Sequence, residues 1–473
     1  MSNRNQMIPA LIPLLVLVVL LFFVIRIFGP DALDGASQAA LIISSGVGIA
    51  IALAWLKVPW QRIEDSIGNN FRNIATAIII LLMVGAIGGT WMVSGIVPTL
   101  IIYGLRIIHP AVFLFAACFI CALVSVMTGS SWTTIATVGL ALIAIGTALG
   151  YSPALSAGAI ISGAYFGDKV SPLSDTTVLA SSMCGVPLFD HIRYMMRTTG
   201  PAFIIALAAY LVISLCHGAD GSVDAQVLEQ VLRSKFNISP WLLVVPVLTG
   251  IMIWRRVPAF LTLLCASVMA AVAALFFQPG LVAEVSGTTG AFTAASGFRG
   301  VIQMLALPTG LLTGSPDVDA LVQTGGMSGM LPTVFLIACA ATFGGVLEGS
   351  GMIETLTDAL TRHISSRPGI VAGTMVTGLS ANAMTGDQYL SIVLTSRVFR
   401  SLYERLGYED RLLSRSVEDS VTVTSVLVPW NTCGLTQATV LHVATAAYLP
   451  FCFFNILSPL ISLFDAFLRA GKK

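Results

Sequence analysis

Two aspartates, Asp168 and Asp387, have the most unusual surroundings in this chain. Each lies in a glycine-broken polar segment between apolar runs: GDKVSPLSDTT from Gly167 to Thr177, and MTGDQYLS from Met384 to Ser391. If the flanking runs lie in lipid, a carboxylate there costs roughly 2.5–3.5 kcal/mol on insertion scales, so it is rarely without function. Hydroxyl and amide oxygens surround both residues. The pattern predicts a path for a cation.

The candidate residues fall into carboxylates and neutral oxygen donors. The predicted proton-binding or cation-binding carboxylates are Asp168, Asp175, Asp387, Glu418 and Asp419, with Asp168 and Asp387 as the Na+ ligands. A hard monovalent cation needs several oxygens from carboxylates, hydroxyls, amides and bare carbonyls. The predicted supporting donors or substrate-binding residues are Thr128, Ser130, Ser131, Thr133, Ser171, Ser174, Thr176, Thr177, Asn382, Thr385, Ser420, Thr422, Trp430, Asn431 and Thr432.

Some of these residues also have a purely structural interpretation. A serine or threonine in a membrane span often donates to the carbonyl four residues earlier. Asp168 and Lys169 could form a local ion pair at a helix end, and Glu418-Asp419, which follow a basic loop, could lie at the interface. Asp387 has no basic neighbour before Arg397, so a functional role is favoured there.

Composition places the elements that hold these residues in a membrane. Of 473 residues, 56% are hydrophobic and 10% are charged, and the mean hydropathy is +0.90. Because soluble domains carry about 25% charged residues, the chain is predicted to be an all-α polytopic protein of the cell membrane. A formal net charge of +1 excludes a polybasic nucleic-acid-binding protein.

Enzymatic signatures are absent from the sequence. It contains no P-loop and no nucleophile elbow, and its five histidines are scattered. Cys118 and Cys121 form a C-x-x-C motif inside an apolar run, where they are best interpreted as small buried hydrophobic residues. We therefore expect neither catalysis nor a cofactor.

The apolar runs predict ten to fourteen membrane segments, some of them incomplete. Ile8–Phe28 is too long for a signal peptide and is predicted to be a retained first span. A basic loop at 57–72, together with Lys472 and Lys473, places both termini in the cytoplasm by the positive-inside rule. The other predicted spans or half-helices are 37–56, 74–91, 96–108, 110–128, 132–150, 153–166, 198–216, 241–254, 257–277, 331–348, 370–384, 388–403, 421–428 and 436–467.

The chain is predicted to consist of two related halves. An extracytoplasmic polar linker, 217–239, with an amphipathic piece at Val223–Phe236, separates residues 1–216 from residues 240–473. Three segments recur in order at nearly constant offsets of 256, 257 and 251 residues: 94–100 with 350–356, 127–135 with 384–392, and 167–174 with 418–425. The basic pair Arg255-Arg256 starts the second half from the face opposite the first, so the repeats are predicted to have inverted topology with broken helices or re-entrant hairpins.

Five motifs resemble the signature blocks of the NhaC family of Na+/H+ antiporters, in the ion transporter superfamily. They are GSSWTTIATVG (129–139), SGAYFGDKVSPLSDTTVLA (162–180), TGDQYLSIVL (385–394), LSRSVEDSVTVTS (413–425) and VPWNTCG (428–434). The resemblance covers most of the chain. It implies inverted repeats with re-entrant hairpins and is consistent with a homodimer. The same family includes malate/lactate exchangers and amino-acid transporters.

Two functions fit these observations. In the first, Na+ and protons compete for the same buried oxygens, because burial disfavours the charged carboxylate and Na+ binds the deprotonated form. In the second, the carboxylates hold Na+, and the hairpin tips with Trp430, Asn431 and Thr432 hold a small organic solute. Lys169 is the only basic residue within the polar segments that hold the candidate residues, 128–134, 168–177, 382–391, 418–425 and 429–432, which weighs mildly against a dicarboxylate.

Overall fold

Helices supply the regular structure of the described part of the chain. The computed structural model describes residues 4–28, 35–107, 109–172, 174–216, 222–255, 257–288, 292–314, 318–319, 322–361 and 366–470. In the first half the helices are α1 (Arg4–Phe28), α2 (Ala36–Ala54), α3 (Trp60–Val93), α4 (Ile96–Ile107), α5 (Phe113–Thr128), α6 (Ser131–Thr134), α7 (Leu140–Ala148), α8 (Pro153–Val170), α9 (Asp175–Met183) and α10 (Leu188–Cys216).

The later helices are of more varied length. They are α11 (Ser222–Lys235), α12 (Val244–Trp254), α13 (Ala259–Phe277), α14 (Pro279–Val285), α15 (Ala294–Ala306), α16 (Leu331–Gly349), α17 (Met352–Thr361), α18 (Arg367–Thr385), α19 (Gln388–Leu406), α20 (Asp410–Val417), α21 (Thr432–Leu441), α22 (Thr445–Tyr448) and α23 (Phe453–Leu468). Two π-helical segments, Ile135–Gly139 and Glu418–Thr422, continue α6 and α20.

The structure confirms a multi-pass helical membrane protein. Among the described residues, seven helices are long and apolar enough to cross a membrane, or up to ten if each of three bent pairs counts as one span. The sharpest bends are 72° between α3 and α4 and 93° at the α11–α12 junction. Large apolar side chains such as Phe22, Ile204 and Leu215 are more than half exposed on the outside, as lipid-facing residues are. Broken helices were therefore predicted correctly, and ten spans is the upper limit of the observed range.

Three predicted elements differ from those observed. The basic loop at 57–72 is mostly helical, because α3 begins at Trp60. The predicted span 421–428 is instead the end of a π-helical segment followed by a 3₁₀ turn, Ser425–Leu427. The predicted span 436–467 is divided among α21, α22 and α23. Hydropathy describes the composition of each of these segments, but it does not show where the backbone bends or where a helix begins.

The amphipathic piece of the linker is helical and forms α11. Leu232 and Phe236 from its apolar face are buried. Residues 217–221 of the linker lie outside the described residues, as do Arg256, Lys472 and Lys473, on which the predicted topology relied. The sidedness of the membrane and the domain boundaries remain predictions.

The recurring segments share their backbone conformation. Gly95 and Gly351 have φ of 82° and 75°, and Gly129 and Gly386 have φ of 68° and 67°. A left-handed conformation ends the preceding helix at each pair, which favours glycine because a Cβ would be strained there. The predicted repeat therefore has matching local structure at two of its three segments, and its inverted relation remains a prediction.

Small residues bring α5 and α8 into close contact. A Cβ added at Gly163 or Gly167 would collide with the carbonyl oxygen of Cys118 or Ala122, respectively. This Gly-x-x-x-Gly spacing lets two backbones approach closely, as at other helix interfaces in membranes. The contact holds the C-terminal end of α8, which carries Asp168, next to the end of α5.

We expect Gly163→Ala to lower the thermal stability of the purified protein. The added methyl must push two backbones apart, and overpacking of this kind costs typically 1–3 kcal/mol. Thermal unfolding in detergent measures the effect. Gly250→Ala in α12 is the matched control, because a Cβ there has no heavy atom within 4 Å. Equal stability of the two variants would contradict close α5–α8 packing.

Candidate functional site

Two tight turns, each joining the end of one helix to the start of the next, form the framework of the site. We call them the first tip (Gly129-Ser130) and the second tip (Gly386-Asp387). Gly129 ends α5, and Ser130 caps α6 by accepting a hydrogen bond from Thr133 N at 3.2 Å. Gly386 ends α18, and Asp387 caps α19 in the same way. Each tip therefore places the C-terminal end of one helix beside the N-terminal end of the next. Such paired ends present carbonyls and N–H groups to a site inside the membrane.

Asp168 lies at the first tip and is nearly dry. It is 4% exposed, and its Oδ2 accepts hydrogen bonds from Ser131 N at 3.1 Å and Ser131 Oγ at 2.6 Å. Both donors belong to the N-terminal end of a helix, where an anion is favoured. The second oxygen, Oδ1, is buried without a hydrogen-bond partner in the described part of the chain. One carboxylate oxygen is thus held in place while the other is unsatisfied.

Asp387 has a structural role that the sequence interpretation missed. It is 7% exposed, and its Oδ1 accepts from Leu390 N at 2.9 Å as the N-cap of α19. Its main-chain oxygen accepts from Thr385 Oγ1 at 2.9 Å and Ser391 Oγ at 2.7 Å. Aspartate is a favoured N-cap, so its position just before a helix was the signal available in the sequence.

Asp175 is exposed, which corrects the prediction of a buried carboxylate at this position. It begins α9, and its Oδ2 accepts a hydrogen bond from Tyr389 Oη at 2.7 Å. Tyr389 comes two residues after Asp387, so this bond joins the first polar segment to the second tip. Sequence reasoning missed Tyr389, because nothing in its local sequence marks a partner 214 residues away.

Lys169 is paired with Asp419, not with its neighbour Asp168. Both side chains are fully buried, and Ser458 Oγ lies 2.9 Å from Lys169 Nζ and donates to Asp419 Oδ1 at 3.0 Å. Thr198 Oγ1 donates to the other oxygen of Asp419 at 3.0 Å. The alternative of a local Asp168–Lys169 pair is therefore wrong. This geometry favours a structural ion pair over a cation ligand for Asp419.

Arg415 extends this charge network. Its Nε lies 3.7 Å from Asp419 Oδ2, and its Nη1 lies 2.6 Å from Asp465 Oδ2 on α23. Two buried cations, Lys169 and Arg415, are thus matched by two anions, Asp419 and Asp465. The charge network, defined as these four residues, is balanced within the protein interior; Asp465 also accepts a hydrogen bond from Arg469 Nε at 2.8 Å, and the Arg469 side chain is 39% exposed.

Glu418 and Asp419 are both fully buried inside the protein, and their depth in the membrane remains a prediction. Neither of its carboxyl oxygens has a hydrogen-bond partner in the described structure. It begins the π-helical segment Glu418–Thr422 and lies within electrostatic range of Lys169, Asp168 and Asp419. Short π-helical segments are rare in proteins, and those that do occur often lie at functional sites.

Most of the predicted neutral donors serve the backbone. Ser174 and Asn431 are N-caps of α9 and α21, whereas Ser171, Thr177 and Ser420 donate to main-chain carbonyls. Exceptions are Asn382 Oδ1 and Thr422 Oγ1, which are buried without a partner among the described residues. The side chain of Thr128 lies outside the described residues. The remaining members make these contacts: Thr133 Oγ1 to Ser130 Oγ, Thr176 Oγ1 with Ser174 Oγ, Thr385 Oγ1 with Ser391 Oγ, Trp430 Nε1 to Ala383 O, and Thr432 N to Gly386 O.

The second tip is fastened to the segment that follows the π-helical turn. Trp430 Nε1 donates to Ala383 O at 2.6 Å, and Asn431 Nδ2 donates to Asn382 O at 3.1 Å. These residues therefore position the tip. Direct convergence of Asp168 and Asp387 on one pocket remains a prediction. Within the described residues, no group of three or more His, Cys, Asp or Glu side chains could hold a metal ion.

Comparison with known proteins identifies the family. The model of the Na+/H+ antiporter family matches residues 4–178 and 163–467. The chain is 39% identical to "Na(+)/H(+) antiporter NhaC" of Alkalihalophilus pseudofirmus, over 88% of this chain and 87% of that protein.

Relatives named for organic solutes are similar over the same extent. Identity is 34% to "Malate-2H(+)/Na(+)-lactate antiporter" of Bacillus subtilis, over 90% of this chain and 88% of that protein. It is 32% to "Arginine/ornithine antiporter ArcD" of Halobacterium salinarum, over 98% and 93%. The resemblance noted in the motifs is confirmed: this chain is a membrane transporter, not an enzyme, and belongs to the NhaC family of Na+/H+ antiporters.

Proposed function

We propose that this transporter exchanges Na+ for protons across the cell membrane and that Asp168 binds the transported cation. The observation that carries the proposal is the half-satisfied Asp168 carboxylate. Ser131 orients one oxygen through two hydrogen bonds, and the other oxygen is buried without a hydrogen-bond partner among the described residues. A proton or a small cation at that oxygen would satisfy it.

Competition for this carboxylate would produce exchange. An empty, charged carboxylate inside the membrane is costly. Either a proton or Na+ removes that cost, and the two ions exclude each other from the same oxygen. If the carrier changes conformation only when the carboxylate is neutralised, movement of Na+ in one direction requires movement of a proton in the other.

Asp387 is proposed as the second cation ligand, in addition to its capping role. Its side chain and the end of α18 meet at the second tip, where the negative end of a helix dipole favours a cation. Asparagine and serine cap helices about as well as aspartate. Replacement by either residue therefore removes the charge and preserves the turn.

Transport of an organic solute is the second candidate, and the names of the malate/lactate and arginine/ornithine relatives favour it. The charge network weighs against an anionic solute. Lys169 and Arg415, the buried bases beside the acidic residues, are already paired with Asp419 and Asp465. Binding a dicarboxylate there would require breaking a buried pair, which is unfavourable. We also infer a cytoplasmic location for both termini, and the homodimer implied by the family resemblance remains a prediction.

The test is Na+-dependent pH recovery in proteoliposomes of the purified protein. We expect a Na+ gradient to drive proton flux in the wild type, and we expect Asp387→Asn and Asp387→Ser to fold but to lose most of that flux. Uptake of labelled malate, lactate, arginine and ornithine is measured in the same vesicles. Saturable solute uptake without Na+-driven proton flux would replace ion exchange by the second function. Full activity with unchanged Na+ affinity in both Asp387 variants would remove Asp387 from the site.

A further inference from the structure

We infer that the exchanged proton and the exchanged cation bind different carboxyl groups, the proton at Glu418 and the cation at Asp168. This inference rests on the proposed Na+/H+ exchange, but it replaces competition for one Asp168 oxygen by coupling between two carboxyl groups. It assigns to Glu418 a separate role that the family membership does not specify. Four observations support it: burial, the local charge balance, the unequal hydrogen bonding of the two carboxyls, and their electrostatic proximity.

The burial of Glu418 is complete, and its carboxyl group has no hydrogen bond to the described residues. An isolated buried carboxylate is far more costly than a buried neutral acid. In the conformation described here Glu418 therefore holds a proton. It differs in this respect from Asp419, its neighbour in sequence, whose two oxygens are occupied by Lys169, Thr198 and Ser458.

Among the described residues, Glu418 has no counterion in contact with it. Lys169 from α8 is the cation with the largest electrostatic influence on Glu418, but Lys169 contacts Asp419. Arg415 is bound to Asp465. Helices α18 and α19 also pack against the π-helical segment, where α18 presents the uncharged Asn382, and Cys184 at the end of α9 is a further titratable neighbour. Since the charge network is balanced, Asp168 and Glu418 are the two nearby carboxyls that need an added proton or cation.

Unequal hydrogen bonding divides the roles between these two groups. Asp168 accepts two hydrogen bonds at a helix N-terminus, which stabilise its anion. Glu418 accepts no hydrogen bond of ordinary length from the described residues, although the hydroxyl group of Thr422, four residues later, is close to it. The deprotonated, oriented carboxylate of Asp168 is therefore the better ligand for Na+. The carboxyl group of Glu418, which lacks such donors, is the better proton-binding site.

Electrostatic proximity couples the two groups. Asp168 and Glu418 are within range of each other, so the two like charges disfavour simultaneous ionisation. Na+ bound at Asp168 cancels one charge and so makes release of the Glu418 proton easier. Conversely, departure of Na+ restores the repulsion and draws a proton back to Glu418. Exchange then needs no shared oxygen.

Glu418→Gln tests the inference, because glutamine resembles the protonated acid and cannot release a proton. Two assays are run in proteoliposomes: Na+-driven proton flux, and 22Na+/Na+ counterflow, which requires no net proton movement. We expect the variant to lose at least about tenfold in proton flux, equivalent to roughly 1.4 kcal/mol of coupling, and to keep counterflow within about twofold of wild type. Glu348→Gln is the control, since that carboxyl lies elsewhere, beside Ser66, and should leave both assays unchanged.

The outcomes separate this inference from the function on which it rests. Wild-type protein without Na+-driven proton flux would overturn the proposed exchange. Normal exchange in wild type with undiminished proton flux in Glu418→Gln would overturn only the role of Glu418, as would a folded variant that loses counterflow and proton flux together. If Glu418→Gln does not fold, Glu418→Asp is used. A shorter acid keeps a proton site, and the inference then requires a shifted pH profile of exchange with counterflow retained.

Discussion

Asp168→Asn is expected to abolish Na+-driven proton flux and Na+/Na+ counterflow together, in a protein that still folds. Asparagine has nearly the same shape, and its oxygen can accept the two hydrogen bonds from Ser131. What is lost is the negative charge that binds Na+. If that charge contributes on the order of 3 kcal/mol, apparent Na+ affinity falls by about a hundredfold. Initial rates over a range of Na+ concentrations measure the loss.

Asp175→Asn is the matched control for this prediction. It makes the same substitution seven residues later, at an exposed carboxylate whose contact is the hydroxyl of Tyr389. The asparagine oxygen can still accept that hydrogen bond, so activity should stay close to wild type. Equal loss in both variants would contradict the assignment of Asp168 as the cation ligand, because it would show that burial does not distinguish the two residues.

Local sequence was sufficient to predict the segments of the site. The glycines of the two tips, Gly129 and Gly386, occur in matching motifs and adopt matching left-handed conformations. Asp168 was predicted from a charge within an apolar context, and it is indeed buried beside Ser131 from the other tip-forming motif. Helix breaks, intramembrane carboxylates and glycine spacing are properties of short segments, so the sequence carries them directly.

The partners of the charged residues could not be predicted in the same way. Lys169 pairs with Asp419 across 250 residues of sequence, and the nearer Asp168 looked like the simpler partner. Glu418 follows a basic loop, so its local sequence does not show that its carboxyl group is buried inside the protein. Which of several acids meets a given base depends on how α8, α10 and α23 pack together, and this information is not present in any one segment. The error for Asp175 was the opposite one. It was grouped with the buried carboxylates, but it lies at the surface, only seven residues after the buried Asp168.

The Lys169–Asp419 pair also shows why a buried acid need not be a transport residue. Its two charges cancel, and Thr198 and Ser458 complete the hydrogen bonds of Asp419. Replacing Asp419 would therefore disturb α8, the π-helical segment, α10 and α23 at once. A loss of activity in a single Asp419 variant could not separate transport from folding, so the pair must be tested by removing both charges.

We expect Lys169→Met alone to destabilise the protein severely and a second substitution, Asp419→Asn, to restore most of the stability. Removing the lysine leaves a carboxylate buried with Arg415 as its remaining cation, at 3.7 Å, and breaking a buried pair typically costs 3–5 kcal/mol. The double variant removes both charges, while asparagine still bonds Thr198 and Ser458. Thermal unfolding of the purified variants in detergent measures the effect, and Lys235→Met, which breaks an exposed pair with Glu284, is the control, with little change expected.

Transport by the double variant then decides what the pair is for. If the pair is structural, Lys169→Met/Asp419→Asn should exchange Na+ for protons at a rate near that of wild type, since Asp168 and Glu418 are unchanged. A stable double variant without exchange would instead place Lys169 or Asp419 among the groups that bind the transported ions. A single Lys169→Met variant as stable as wild type would show that Asp419 becomes neutral by taking up a proton. In that case the charge network would not be the balanced unit from which the separate roles of Asp168 and Glu418 were inferred.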